Sequence, residues 1–311
     1  HDCDPCYLPM EATPGAWPVD QPAAVVLITE NRIRHALVLL LGEAYERKVT
    51  DFVLNTLRAV LSARILQNRW RNALTEAVEI QRRLLPTDAP VLDGFDIAGL
   101  SVPAEEVGGD FFDYIPFDDH ALGFVIGDVS GHGLPAALVA RDVLVGLRMG
   151  AESEMKPTHL LSKLNGVIGR GRDASFVSAF YGELERDGTV FFVNAGHTPP
   201  IHVAAWRATL LTTGDPVLGP VRDVRFRRSL AHLEEGDVLV LVTDGIVERQ
   251  SATGEIYGES RLEALVRRHR HASAEAILCA IFEAASAYGG RGPWEDDATV
   301  LVIRRLPEAR D

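Results

Sequence analysis

The sequence predicts an α+β fold, an antiparallel sheet with packed helices, reached through one long N-terminal helix. Three observations carry this. Apolar, turn-bounded segments of strand character come in runs, helical segments come in runs, and the two do not alternate as β-α-β units would require. Turns of hairpin length, such as Arg186-Asp187-Gly188, join successive strand segments. From Thr50 to Leu85 no Gly or Pro interrupts a helical pattern, and Pro86 ends it.

The elements follow in order. Ala23–Thr29 and His35–Leu41 are apolar and β-rich across the polar turn Glu30–Arg34, as two neighbouring strands or a hairpin would be. The long helix follows. Beyond it, strands are expected at Phe95–Val102, Asp110–Phe117 and Leu122–Val129, then helices at Pro135–Met149 and Pro157–Ile168. Strands resume at Val177–Leu184, Val190–Asn194, Arg207–Leu211, Val224–Leu230 and Val238–Thr243. Helices at Glu259–Arg270 and Ser273–Ala287 precede a last strand, Thr299–Arg304.

Composition excludes several classes. With 31 basic and 44 acidic residues the net charge is −13, the wrong sign for a general nucleic-acid binder or a polybasic membrane anchor. The longest apolar block, Ala36–Leu41, is strand-sized and far short of a membrane span. Three cysteines do not make a disulfide framework, so a reducing, cytoplasmic setting is expected. Cys3-Asp4-Pro5-Cys6 lacks the second pair a zinc site needs, and Cys279 is expected as a small buried hydrophobe of its helix. A length of 311 residues that opens on His1 suits two domains and a piece of a longer chain.

Within the long helix, Leu66, Trp70, Ala73, Ala77, Ile80 and Leu84 recur at alternating spacings of four and three. That is the narrow seam of a coiled coil, and it predicts a linker through which the chain forms a homodimer.

Charge is distributed unevenly. No Lys or Arg lies between Arg83 and Arg141, whereas that stretch holds ten acids from Asp88 to Asp128. Carboxylates that converge without basic partners call for a divalent cation; a solvated acidic surface is the other reading. Four acidic elements stand at strand ends or turns. They are Gly108-Gly109-Asp110, whose glycines are expected to let the backbone bend, Gly127-Asp128-Val129-Ser130-Gly131-His132-Gly133, Thr243-Asp244-Gly245, and Glu295-Asp296-Asp297-Ala298-Thr299. Oxygen ligands with no cysteine or histidine cluster beside them suit Mg²⁺ or Mn²⁺ rather than zinc.

At these elements the chain resembles the metal-dependent protein phosphatases (PPM, PP2C-like) of the bacterial SpoIIE/RsbU branch. The matching text is IQRRLLP at Ile80–Pro86, GGDFFD at Gly108–Asp113, GDVSGHGLPAAL at Gly127–Leu138 and NAGHTPP at Asn194–Pro200. It continues with LEEGDVLVLVTDGIVE at Leu233–Glu248 and EDDATVLVIR at Glu295–Arg304. Six motifs in register cover about residues 80–305. The part before residue 65 resembles, more loosely, the C-terminal half of a GAF sensor domain. The resemblance implies a four-layer αββα sandwich of two antiparallel sheets flanked by helices. Its domains would be a sensor remnant at 1–62, a helical linker at 63–86 and the phosphatase domain at 87–307.

It also implies a site. Asp110 and Asp128 would bridge two metals, the carbonyl of Val129 would add a ligand, and Asp244 and Asp296 would complete the second metal, with Asp297 as the alternative to Asp296. The implied activity is hydrolysis of phosphoserine or phosphothreonine by a water activated between two Mn²⁺ or Mg²⁺ ions. The implied substrate is a phosphorylated STAS-domain anti-anti-sigma protein. Two departures stand out. No Arg or Lys is available between residues 84 and 140 for the phosphate-binding role, and His132 lies four residues after Asp128, where a local structural role is expected rather than general acid catalysis. His197, in the NAGH motif, is expected as a hydrogen-bonded turn histidine. Two further classes remain open. One is a pseudophosphatase that binds the same partner without turnover, against which the four acids speak. The other is a metal-dependent nuclease, which lacks a basic track.

Overall fold

The computed structural model describes residues 5–8, 23–30, 33–42, 44–82, 85–117, 120–153, 155–170 and 175–307. The chain forms two compact units, residues 1–76 and 77–311.

In the first unit, β1 (Cys6–Leu8), β2 (Ala23–Glu30) and β3 (Ile33–Leu40) make an antiparallel sheet in that order, followed by helix α1 (Arg47–Arg82). Leu54 of α1 is fully buried against Ala24, Val26 and Leu41. Further along α1, Leu66 and Trp70 of the predicted seam are exposed, Trp70 at 72%. No described helix is long and apolar enough to cross a membrane. Cys3 of the C-x-x-C pair lies outside the described residues.

The second unit is the four-layer sandwich. Its strands are β4 (Phe95–Val102), β5 (Phe111–Pro116), β6 (Ala121–Val129), β7 (Val177–Glu185), β8 (Thr189–Ala195), β9 (Ile201–Val203), β10 (Ala208–Leu210), β11 (Ser229–His232), β12 (Val238–Val242) and β13 (Ala298–Arg305). They form two five-stranded antiparallel sheets, ordered β10-β9-β12-β13-β4 and β11-β8-β7-β6-β5. Strand alternation builds the layers. On β6, Leu122, Phe124 and Ile126 point between the sheets, where they join Phe180 and Phe192 of their own sheet and Leu239, Leu241, Leu301 and Ile303 of the other. Val125 and Val129 point outward beneath α2 (Gly133–Glu152) and α3 (Pro157–Ile168). On the far face, Val238, Val240 and Val242 lie under α4 (Asp244–Val247), α5 (Glu259–His269) and α6 (Ala274–Tyr288).

Two expectations are corrected. The strand expected at Val224–Leu230 pairs only from Ser229 to His232, because the Arg227 N–H and side chain are engaged by Asp215 instead of a ladder. Cys279 is exposed: α6 buries Ala274, Ile277, Leu278, Ile281 and Ala285, and Cys279 falls off that face.

Candidate active site

Asp128 follows Leu122, Phe124 and Ile126 in the two-residue alternation of β6, so it emerges where the space between the sheets opens at one end. β12 ends at Val242 and delivers Asp244; β13 begins at Ala298, directly after Asp296 and Asp297; Asp110 immediately precedes β5. Four chain segments thus bring their acids to one end of the sandwich.

Electrostatics record the convergence. Burial, followed by the charges of Asp244, Asp296 and Asp297, pushes the Asp128 carboxyl up to about 7. Burial, then Asp296 and Glu248, raises Asp244. Burial holds Asp110 well above the ordinary carboxylate range; Asp128 and Asp297 add to this, while hydroxyl groups of Thr299 and Thr243 oppose it. Both threonines donate to Asp110 Oδ2, each at 2.7 Å. Asp110 Oδ1 is buried and has no hydrogen-bond partner among the described residues.

The two neighbours Asp296 and Asp297 do different things. Asp297 is buried, and both of its oxygens are engaged: Oδ1 accepts the Ala104 N–H at 2.8 Å and Oδ2 the Gly109 N–H at 2.7 Å. It therefore fastens the loop that carries Asp110. Asp296 is exposed, and the bond described for its carboxylate is the Asp297 N–H at 2.8 Å on Oδ1. The glycines of Gly108-Gly109-Asp110 serve this packing rather than a bend. A Cβ on Gly109 would stand 2.7 Å from the Val129 carbonyl, and neither glycine has a positive φ.

A divalent cation fits this donor set. The Asp110 Oδ1 atom has no hydrogen-bond partner among the described residues, and the like charges of Asp244, Asp296 and Asp297 bear on Asp128. Among the described residues no three His, Cys, Asp or Glu side chains close into a ready-made cage.

The other sequence candidates fall outside the acid cluster or beside it. His132 is exposed at 81%, with Nδ1 3.1 Å from Glu105 Oε1, and ties the Gly131-His132-Gly133 turn to the loop of residues 103–110. The turn needs its glycines, with φ of 97° at Gly131 and 71° at Gly133. His197 is buried, with Nδ1 2.9 Å from Ser178 Oγ. Asn194 brackets it, accepting its N–H at 2.7 Å and donating to its carbonyl at 3.0 Å. Burial lowers the His197 ring to about 4, although the nearby Val242 main chain favours protonation without closing a hydrogen bond of full geometry. Asp113, one of the acids in the lysine- and arginine-free stretch, is neutralised at 2.6 Å by Arg148 Nε of α2.

One residue escaped the sequence reading. Arg249, five positions after Asp244, is buried to 1%. Its guanidinium donates to the carbonyls of Pro293 at 2.6 Å and Gly292 at 2.9 Å, pairs with Glu295 and lies over Trp294. A Cβ on Gly289 would overlap it. The segment leading to Asp296 is wrapped around this one cation. An arginine after an apolar strand gave no such signal, because its partners lie some 40 residues away.

Comparison with known proteins agrees with this architecture. Residues 118–306 match the family described as Stage II sporulation protein E (SpoIIE). Phosphoserine phosphatase RsbU of Bacillus subtilis (strain 168) is 30% identical over 244 residues, 77% of this chain and 72% of that protein. The SiaA PP2C domain of Pseudomonas aeruginosa superposes with a TM-score of 0.69 at 23% identity, covering 77% of this chain and 98% of that domain. The RsbU and RsbW domains of Rv1364c from Mycobacterium tuberculosis superpose at 0.64 with 27% identity, covering 73% of this chain and 64% of that one. The chain belongs to the SpoIIE family and carries its PP2C phosphatase fold.

Proposed function

We propose that the chain is a metal-dependent protein serine/threonine phosphatase whose Asp110, Asp128, Asp244, Asp296 and Val129 carbonyl hold two Mg²⁺ or Mn²⁺ ions. The observation that carries this is the buried, partnerless Asp110 Oδ1 set among mutually repelling carboxylates. Such ions would neutralise phosphoryl oxygens and activate water. The chain's own residues do the rest. Thr243 and Thr299 fix the rotamer of Asp110 through Oδ2, leaving Oδ1 open. Asp297 holds the Asp110 loop in place, and Arg249 holds the approach to Asp296. Asp297 is thereby a support, and Asp296 the ligand.

The RsbU and RsbP relatives are phosphoserine phosphatases, which supports phosphoserine or phosphothreonine on a signalling protein as the substrate. Within this reading the substrate is a phosphorylated STAS-domain protein. Residues 1–62 are a GAF-like sensor remnant, and the helical linker of residues 63–86 pairs two chains. The test is phosphate release from a phosphoserine protein. Release with Mn²⁺ that stops with EDTA and returns on re-addition is the expected outcome. Tight binding of the phosphoprotein without release under any divalent metal would establish the pseudophosphatase instead.

A further inference from the structure

In a chain of net charge −13, four cations gathered in one cleft are informative. Arg227 and Arg228 are matched to Asp215 and Glu183. Close by, Lys163 and Arg170 on and just after α3, and Arg222 and Arg225 on the loop between β10 and β11, line one cleft of about 1120 Å³. All four are exposed and make no ion pair with a described residue. A single acid, Asp223, shares the cleft.

The cleft is built, not incidental. Asn165 of α3 is buried; its Oδ1 accepts the Gly219 N–H at 2.7 Å and its Nδ2 donates to the Val221 carbonyl at 2.9 Å. This pins the arginine-bearing loop to the helix. Asp223 sits at a φ of 58°, a left-handed conformation that turns the chain between the two arginines. The same loop is anchored beside the catalytic carboxylates. Leu218 exchanges hydrogen bonds with Val177 at 2.8 and 3.0 Å, and the other edge of Val177 faces Val129, next to Asp128. Leu218, the anchor of the arginine-bearing loop, therefore lies two strand spacings, about 10 Å, from the strand end that carries Asp128.

We propose that this cleft docks an acidic segment of the phosphoprotein substrate beside the catalytic carboxylates, an inference that rests on the phosphatase reading. Its volume exceeds the ~300–1,000 Å³ of small-molecule pockets, which favours a polypeptide over a free anion. The negative charge of the whole chain disfavours nucleic acid. A phosphatase whose metal site is ringed by acids must draw in an anionic substrate against local repulsion, and four cations in a cleft whose loop is anchored near that strand end offset it.

Two fluorescein-labelled phosphoserine peptides test this with the full chain, one flanked by Asp and Glu, the other by Gln and Ala. Anisotropy without metal reads docking independently of turnover. The acidic peptide is expected to bind about tenfold more tightly, with the preference shrinking at high salt. The quadruple change Lys163→Ala, Arg170→Ala, Arg222→Ala and Arg225→Ala should erase the preference and leave hydrolysis of p-nitrophenyl phosphate unchanged. The pair Arg222→Ala and Arg225→Ala should remove part of it and keeps the test valid should the quadruple variant not fold. Equal binding of both peptides, or a preference that survives these variants, would overturn the proposal. So would displacement by inorganic phosphate as effective as the acidic peptide, or tighter binding of duplex DNA. If the wild type shows the peptide preference but hydrolyses neither phosphopeptide nor p-nitrophenyl phosphate with Mn²⁺, the phosphatase reading fails and the docking cleft stands.

Discussion

A Cβ on Gly108 would lie 2.2 Å from Asp297 Oδ2, so the glycine and the carboxylate occupy adjoining space that neither can yield. Gly108→Ala should push Asp297 off the Ala104 and Gly109 N–H groups and cost about 1–3 kcal/mol of stability, read by urea denaturation. Asp297→Asn should weaken Mn²⁺ binding in calorimetry while retaining turnover at saturating metal. Asp296→Asn should lose turnover even then. Equal behaviour of the two asparagine variants would contradict the division of roles between these neighbours.

Asp128 lies where charge is most opposed. Its carboxyl is raised to about 7 by burial and by Asp244, Asp296 and Asp297, above the ordinary value of an unfolded chain. A raised folded value contributes stability below the unfolded value, and that contribution is lost as pH rises through about 7. The metal-free protein should therefore lose this share of stability between about pH 4 and 7, and Asp128→Asn should flatten the decline. The same variant should release almost no phosphate with Mn²⁺; full activity would sink the site.

His197 works in the opposite direction. Its folded value is depressed to about 4 by burial, so its neutral form contributes stability above the unfolded value of about 6.5, and that is lost as pH falls through about 4. The difference in unfolding free energy between wild type and His197→Gln should change by roughly 3 kcal/mol across that window. A constant difference from pH 7 to 4 would show that the ring titrates normally.

Arg249 should be intolerant of truncation. Arg249→Met leaves the carbonyls of Gly292 and Pro293 and the charge of Glu295 without their donor. A loss of about 1–3 kcal/mol is expected from leaving these carbonyls without their donor, since Glu295 itself is exposed. Arg249→Met combined with Glu295→Met should recover part of it. Double-mutant unfolding measurements decide whether the pair is coupled.

The seam Leu66-Trp70-Ala73-Ala77-Ile80-Leu84 is expected to pair two chains weakly, and Trp70 stands exposed in the single chain. Trp70→Glu with Ile80→Glu places like charges along it. Sedimentation should then show monomer, with altered basal phosphatase activity. A dimer with unchanged turnover would make α1 a passive tether.

The sequence by itself determined the layered α+β class, most strand and helix positions, and the four acidic elements. The turn-bounded apolar run Leu122–Val129, the very apolar run Val238–Val242 and the Ala-, Leu- and Val-rich stretch Pro135–Met149 are local signals of a buried strand or helix. Six ordered motifs also carried the family. Tertiary structure decided what local signals do not encode. Asp296 and Asp297 are the same residue type in adjacent positions, and only the arrival of the Ala104–Gly109 loop shows which carboxylate is consumed by backbone N–H groups. The same loop shows that Gly108 makes room for a carboxylate instead of bending the chain. Cys279 looked buried because its helix is largely apolar, and only packing chose the face. Arg249 and the cations of the Asn165 cleft gained meaning from partners, or the lack of them, far away in sequence. Burial and pairing are properties of the folded chain, and a single residue's neighbours along the sequence do not specify them.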